Sequence, residues 1–185
     1  MEKFWNKYRI PSARMPFRDY SRGGLYYITI CTFNRKMIFG QIENHEIVLS
    51  PIGKIVYDEW NRSFQIRREL FCDVFVIMPD HIHAILRIHD ENTVETHGRA
   101  SLLQQSYTAK KHGIAYRSPK SISSFVACFK SAVTKKINQF RHTPNKPVWQ
   151  PRFYDHIIRN DEEYQRIWDY IIDNPVKWKN DNHLQ

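Results

Sequence analysis

The chain has 185 residues, of which 42% are hydrophobic and 14% aromatic. This composition suits one globular domain with a real core and excludes a disordered chain. No apolar run approaches the length of a membrane-spanning helix, and residues 1–7 lack the apolar stretch of a signal peptide. We therefore expect a cytoplasmic protein with no membrane partner.

The net charge of +9 favours a polyanionic partner, because each Lys or Arg that contacts a phosphate releases a counterion. Charge alone also fits a merely soluble basic protein. The three cysteines are far apart and form no CxxC pair, so we expect buried, reduced thiols.

Residues 1–22 form a basic and aromatic arm that Pro11 and Pro16 interrupt. Such an arm can lie along nucleic acid with its aromatic rings stacked on bases, or it can anchor itself to the core. We expect one domain over residues 23–178, with a polar insertion at about 90–120 and a tail over 179–185.

The first half of this domain contains three strands and a helix. Residues 25–33 are rich in β-branched and aromatic side chains, which predicts a strand. Ser50 and Pro51 are typical of a helix start, and the apolar spacing that follows predicts a helix to about residue 65. Strands over 74–78 and 81–88 flank Pro79-Asp80, and so short a link predicts an antiparallel hairpin.

The second half, after the insertion, contains two helices and one strand. A helix begins at Ser121 or Ser123, and an extended segment over 148–159 contains a fourth strand. Asn160 and Glu163 predict a capping box at the start of a last helix. Pro175 sets the end of that helix near Asn174.

The order of the first six elements predicts an α+β fold. It matches a ferredoxin-like βαββαβ unit, in which an antiparallel sheet carries its helices on one face. The other face is then free for a site, and the C-terminal helix is left over.

His81 and His83 are the first candidate site residues. Alternate residues of a strand share one face, so the two imidazoles would stand side by side while Ile82 enters the core. Together they could bind one metal ion if a third ligand came from elsewhere. Alternatively, they line a half-exposed sheet face, since an isolated HxH is a weak motif.

The last helix supplies two further candidates, Tyr170 and Asn174. At 100° per residue they lie one turn apart, beside the apolar stripe and not within it. A tyrosine there can also be a half-buried ring with its hydroxyl in water.

With these candidates in place, residues 20–178 resemble the REP-associated tyrosine transposases, a branch of the single-tyrosine HUH transposases. The resemblance is carried by four blocks: GLYYIT at 24–29, MPDHIH at 78–83, WQPRFYDHIIRN at 149–160 and DYIIDNPVK at 169–177. It implies that His81 and His83 are the HUH metal ligands and that Tyr170 is the nucleophile. Asn174 stands where related transposases place a polar third ligand, often Gln.

The resemblance also implies the reaction and its substrate. Mg²⁺ or Mn²⁺ would polarise a phosphate of single-stranded DNA, and Tyr170 would attack it to form a 5′-phosphotyrosine. The substrate would be hairpin DNA formed by repetitive extragenic palindromes. A non-catalytic single-strand-binding module and an HUH replication initiator or relaxase are the alternatives. Both a monomer and a homodimer are compatible with the resemblance.

Four other residues are candidate DNA contacts. Arg152 and Arg159 could contact phosphates, and Lys130 lies off the apolar stripe of its helix. His156, in the fourth strand, could approach the metal or the DNA, although a structural role with a satisfied hydrogen bond is the simpler reading.

Overall fold

A four-stranded antiparallel sheet organises the part of the chain that the structure describes. This computed structural model describes residues 23–89 and 120–178, together with the backbone of two short paired strands in the arm, β1 (Lys3–Phe4) and β2 (Lys7–Tyr8). Every neighbouring pair in the main sheet is antiparallel. Across the sheet the order is β6 (Leu70–Met78), β7 (His81–Ile88), β3 (Gly24–Cys31) and β8 (Tyr154–Ile158).

Two helices, α1 (Pro51–Ile66) and α2 (Ile122–Phe140), cover one face of the sheet. Alternate strand residues point into this main core, where they meet large rings from both helices. The core includes Tyr26, Ile28, Ile82, Ala84 and Leu86 from the strands with Trp60, Phe125 and Phe129 from the helices. The period-2 pattern of β3 and β7 therefore decides which side chains remain for the opposite face.

The opposite face carries the C-terminal helix α3 (Asp161–Ile172). Ile171 packs there against Val74, Ile85 and Ile158 in a second, smaller apolar cluster. The short helix α4 (Asn174–Lys177) follows after the C-cap residue Asp173. The face that the sequence leaves free for a site is therefore partly covered by the helix predicted to carry the tyrosine.

The helix starts follow the side-chain caps that the sequence predicts. Ser50 Oγ accepts a hydrogen bond from the Gly53 amide at 3.1 Å, and Ser121 Oγ, not that of Ser123, accepts one from Ser124 at 3.2 Å. Asn160 Oδ1 accepts from the Glu163 amide at 2.8 Å. The Glu163 carboxylate does not complete the predicted box, since it accepts from the Arg159 amide at 2.9 Å.

Three strand predictions need correction. The first strand ends at Cys31 and not at residue 33, because Phe33–Arg35 forms a 3₁₀ turn. The second begins at Leu70 and not at 74, with a register shift between Cys72 and Val74 that interrupts its alternation. A hairpin of β4 (Gly40–Glu43) and β5 (Glu46–Leu49) was not predicted, because its turn residues Asn44 and His45 lack the usual glycine.

Most of the predicted arm, insertion and tail lies outside the described residues. Within residues 23–89 and 120–178, no helix is both long and apolar enough to cross a membrane.

Candidate active site

His81 and His83 lie at the start of β7, on the sheet face that α3 covers. Both side chains are buried, and their Nε2 atoms face each other at 2.9 Å. The turn before them is held by two backbone hydrogen bonds, from Thr32 to the Asp80 carbonyl at 2.9 Å and from Phe39 to the Pro79 carbonyl at 3.0 Å. These two bonds fix the position at which β7 begins, and the imidazole rings of His81 and His83 converge there.

Asp80 orients the His81 ring. Its carboxylate is fully buried, with Oδ1 2.5 Å from His81 Nδ1 and Oδ2 2.8 Å from Arg35 Nε. An ionised carboxylate only accepts hydrogen bonds, so the His81 proton belongs on Nδ1. The Nε2 lone pair then points towards His83, which is the orientation that a metal ligand needs.

His83 is held by two hydroxyl groups of β3. Its Nδ1 lies 2.8 Å from Tyr27 Oη and 2.9 Å from Thr29 Oγ1. Burial lowers the pKa of His83 to about 3, and electrostatic interactions with the neighbouring His81 and Arg35 side chains lower it further. The ring is therefore the neutral imidazole that binds metals. Burial also raises the pKa of Tyr27 above its ordinary value, so its hydroxyl keeps its proton.

Tyr170 reaches the same pair from α3. Its hydroxyl lies 3.4 Å from His83 Nε2, and the two ring centroids are 5.3 Å apart. The helix is anchored through the fully buried Ile171, which leaves the Tyr170 side chain at the edge and 47% exposed. The Tyr170 hydroxyl therefore lies beside His83 on a side chain that is about half exposed to solvent.

The position of Asn174 differs from the simple helical extrapolation. The helix ends at Ile172, so Asn174 begins α4 instead of continuing the turn that carries Tyr170. Among the described residues, Asn174 makes no hydrogen bond to either histidine. The aromatic ring beside the pair on this side is Trp178, whose centroid lies 5.8 Å from that of His81. The metal-ligand role of Asn174 stays a prediction.

The two histidines fit a divalent metal ion. Two imidazole nitrogens that bind one ion at about 2.1 Å and roughly at right angles stand about 3.0 Å apart, close to the observed 2.9 Å. The described residues contain no cluster of three or more His, Cys, Asp and Glu side chains. The remaining ligands would then be oxygens, such as the Asn174 amide, water or a phosphate of the substrate.

The four predicted DNA contacts do not gather at this pair. Lys130 Nζ donates to the carbonyls of Gln150 and Arg152 at 2.9 and 2.8 Å, so it braces the backbone before β8. His156 Nε2 lies 2.7 Å from a Glu163 carboxylate oxygen, as in the structural reading. Arg152 and Arg159 are exposed. Their roles in DNA binding stay predictions.

Sequence reasoning missed the residues that support the histidines. Asp80 stands beside His81 in the MPDHIH block, and its acidic side chain in an apolar stretch was an available signal. Tyr27 and Thr29 alternate along β3, but only the register, with Thr29 opposite His83, brings them to that ring. Arg35 reaches Asp80 from a 3₁₀ turn that has no sequence signature.

With this geometry established, comparisons with known proteins indicate the family. No family model matches the chain. An uncharacterized protein of Haemophilus influenzae is 32% identical over 174 residues, which cover 92% of this chain and 90% of that protein. The REP-associated tyrosine transposase of Escherichia coli is 27% identical over 161 residues, which cover 86% of this chain and 71% of that protein. The chain therefore has a homologue named REP-associated tyrosine transposase that matches over most of its length.

A solved structure of a REP-associated tyrosine transposase bound to a REP hairpin has the same fold. It superposes with a TM-score of 0.60 at 21% identity, covering 91% of this chain and 74% of the other. The mixed α+β architecture, with its four-stranded antiparallel sheet, is therefore that of a transposase. Kinship with the REP-associated tyrosine transposases supports a DNA-processing enzyme as the general function.

Proposed function

We propose that this chain is a metal-dependent endonuclease and strand transferase that cleaves single-stranded DNA through a phosphotyrosine. The observation that carries the proposal is the approach of the Tyr170 hydroxyl to within 3.4 Å of His83 Nε2. A tyrosine hydroxyl beside a pair of imidazoles supplies the nucleophile and two metal ligands that this chemistry requires. The sheet order supports reading the fold as ferredoxin-like, with α3 added as the helix that carries the nucleophile.

The reaction uses Tyr170 as a covalent nucleophile. Its oxygen forms a bond to phosphorus while the bond to the 3′ oxygen breaks. The phenolic proton is lost, and the leaving 3′ oxygen gains one. A 5′-phosphotyrosine and a free 3′-OH result, and a 3′-OH can later reverse the step without ATP. This reversibility suits strand transfer better than degradation.

His81 and His83 would hold the divalent ion, with Asn174 as the proposed third ligand. When bound, Mg²⁺ or Mn²⁺ would supply Lewis-acid polarisation of a phosphate oxygen. Two nitrogen ligands suit Mn²⁺ better than Mg²⁺, which prefers oxygen. Asp80, Tyr27 and Thr29 keep the two rings in one orientation, so the site needs little rearrangement.

The proposed substrate is single-stranded DNA with a hairpin of the REP type. The bound hairpin in the related structure supports this choice, as does the net charge of +9 in this chain. Exposed aromatic rings near the histidines, Tyr170 and Tyr154, are suited to stacking on unpaired bases.

The test is a search for a covalent adduct. End-labelled hairpin DNA from the regions flanking the gene is incubated with the protein and Mn²⁺, then separated on a denaturing gel. We expect a labelled adduct that disappears with EDTA and in Tyr170→Phe. Tyr154→Phe is the matched control, because this tyrosine is 49% exposed and lies close to Tyr27.

Two results would reject the proposal. An undiminished adduct in Tyr170→Phe would show that another group is the nucleophile. DNA binding that is insensitive to EDTA, with no adduct under any metal, would mean a non-catalytic binding module.

A further inference from the structure

A basic groove lies beside the second half of α2, on the sheet face opposite the histidine pair. It is an open groove of about 920 Å³ between α2 and residues 142–151, within the size range of ligand sites. Its lining contains Lys130, Lys135, Lys146 and His142, and no Asp or Glu. A basic protein has exposed lysines elsewhere too, so charge alone does not distinguish this groove, and its structure has to be considered.

The groove is held open by two contacts between its walls. Lys130 Nζ binds the carbonyls of Gln150 and Arg152 at one end, and Asn138 Nδ2 donates to the Lys146 carbonyl at 3.0 Å at the other. Lys130 and Asn138 are eight residues apart, so these contacts are separated by about 12 Å along the helix. The space between them exists before any ligand binds.

Two lysine ammonium groups on the rim of the groove are accessible to a ligand. Lys135 and Lys146 are exposed, and among the described residues neither ammonium group has a hydrogen bond or an ion pair. By contrast, the neighbouring Lys136 is paired with Glu59 and lies outside the lining. Two buried polar atoms of the lining, Asn138 Oδ1 and Trp149 Nε1, also have no protein partner in the described part of the chain.

One wall of the groove lies near the end of the sheet where the histidines stand. This wall continues the pairing of β8 with β3, through bonds from Phe33 to the Val148 carbonyl at 2.8 Å and from Gln150 to the Cys31 carbonyl at 3.0 Å. Cys31 is in turn paired with His81. The wall is thus two strand spacings, about 10 Å, from the start of β7.

We infer that this groove binds the sugar-phosphate backbone of the DNA that flanks the cleaved segment, with Lys135 and Lys146 as its phosphate contacts. The inference deepens the proposed function and rests on it for the choice of nucleic acid over an acidic polypeptide. A strand that leaves the histidine pair and turns around the end of the sheet meets the groove next. Lys130 serves as a brace of the wall and not as a phosphate contact.

The test compares two double variants that remove the same charge. Lys135→Gln with Lys146→Gln alters the groove, and Lys54→Gln with Arg68→Gln alters exposed residues on and just after α1. Binding of a labelled hairpin with a single-stranded flank is measured by anisotropy between 50 and 300 mM KCl. Each lost single-strand contact lowers the slope of log K against log salt by about 0.7.

For the groove variant we expect a slope smaller by about 1.4, and affinity about 25-fold weaker at 0.1 M salt. The control variant should match the wild type, and removing the single-stranded flank should remove the difference. A groove variant with the wild-type slope would overturn the inference. So would an unchanged slope for DNA together with lost binding of a polyglutamate probe, which would assign the groove to an acidic polypeptide.

The adduct assay distinguishes a failure of the inference about the groove from a failure of the proposed function. An adduct with wild-type protein and no change of slope would reject the groove alone. A changed slope without any adduct would keep the groove and reject the chemistry. Melting temperatures check that both double variants fold.

Discussion

The Asp80 carboxylate lies 2.5 Å from Nδ1 of His81 while its other oxygen lies 2.8 Å from Arg35 Nε. Arg35 takes a left-handed backbone conformation, with φ of 53°, to make this contact. This conformation is unfavourable for a residue other than glycine, so it persists only where the surrounding structure stabilises it. Arg35 thus fixes the position of the buried carboxylate that orients the His81 ring.

We expect Asp80→Asn to weaken Mn²⁺ binding by roughly 10- to 100-fold, the usual effect of losing a carboxylate behind a histidine ligand. His81 and Arg35 contact different oxygens of the carboxylate, and an amide keeps only one of these two acceptors. Either the ring or the guanidinium then faces an NH₂ group. Titration calorimetry with Mn²⁺ measures the change.

Asp73→Asn is the matched control for this prediction. The Asp73 carboxylate accepts hydrogen bonds from Arg87 at 2.7 Å and from Tyr164 at 3.2 Å, without contact to either histidine. This variant should lose some stability and keep the wild-type affinity for Mn²⁺. Equal losses of Mn²⁺ affinity in both variants would mean that Asp80 acts through general stability alone.

Much of the fold could be predicted because the local signals agree with the packing. Ser50, Ser121 and Asn160 cap their helices, and the alternation of β7 puts Ile82 in the core with its neighbours on the other face. The hairpin of β4 and β5 could not be predicted, since Asn44 and His45 adopt positive φ without a glycine. Tertiary contacts fix that turn, and they have no local signature.

The candidate site likewise contains some residues that could be predicted from the sequence and others that could not. His81 and His83 could be found from their spacing, and Tyr170 from its helix edge together with the resemblance. Their meeting depends on α3 packing on the sheet, which spacing does not specify. Tyr27 and Arg35 reach the histidines only through register and a 3₁₀ turn. Asn174 shows the limit of helical extrapolation, because α3 ends before it.

Gly53 is predicted to resist substitution despite lying in a helix. Alanine favours a helix by about 1 kcal/mol over glycine, yet a Cβ at Gly53 would lie 1.9 Å from the Phe39 carbonyl oxygen. That oxygen also accepts from the Ser50 amide at 2.8 Å, so the backbone has little freedom to move. We expect Gly53→Ala to lower the free energy of unfolding by about 1–3 kcal/mol.

Urea denaturation measures this change, with Gly24→Ala as the control. A Cβ at Gly24 would only meet the Tyr26 ring at 3.5 Å, an ordinary contact. That variant should stay within about 1 kcal/mol of the wild type. A stabilised Gly53→Ala would mean that α1 can shift away from the Phe39 carbonyl.

The cysteines should differ strongly in reactivity. The expectation of three buried thiols was wrong, because Cys31 and Cys72 are partly buried and Cys128 is exposed. Cys128 is exposed, whereas burial raises the pKa of the Cys72 thiol to about 12. Since the thiolate is the reactive form, Cys72 at pH 8 should alkylate on the order of a thousandfold more slowly than an ordinary thiol. Iodoacetamide labelling followed by peptide mass spectrometry should find Cys128 modified first. Rapid labelling of Cys72 in native protein would contradict its burial.

We expect Lys130 to make the free energy of unfolding depend on pH in the alkaline range. Burial lowers the pKa of Lys130 to about 8, while its unfolded value is about 10.4. Between these values the unfolded chain binds more protons than the folded chain, so the free energy of unfolding rises with pH. Below pH 8 both states are protonated, and this contribution is constant.

We therefore expect the stability of the wild type, relative to Lys130→Met, to increase between pH 8 and 10 in urea denaturation. Lys135→Met, at an exposed position of the same helix, should show no such trend relative to the wild type. The carbonyls of Gln150 and Arg152 stabilise the ammonium form of Lys130 and so act against the effect of its burial. A relative stability that falls with rising pH would mean that these two acceptors outweigh the burial of Lys130.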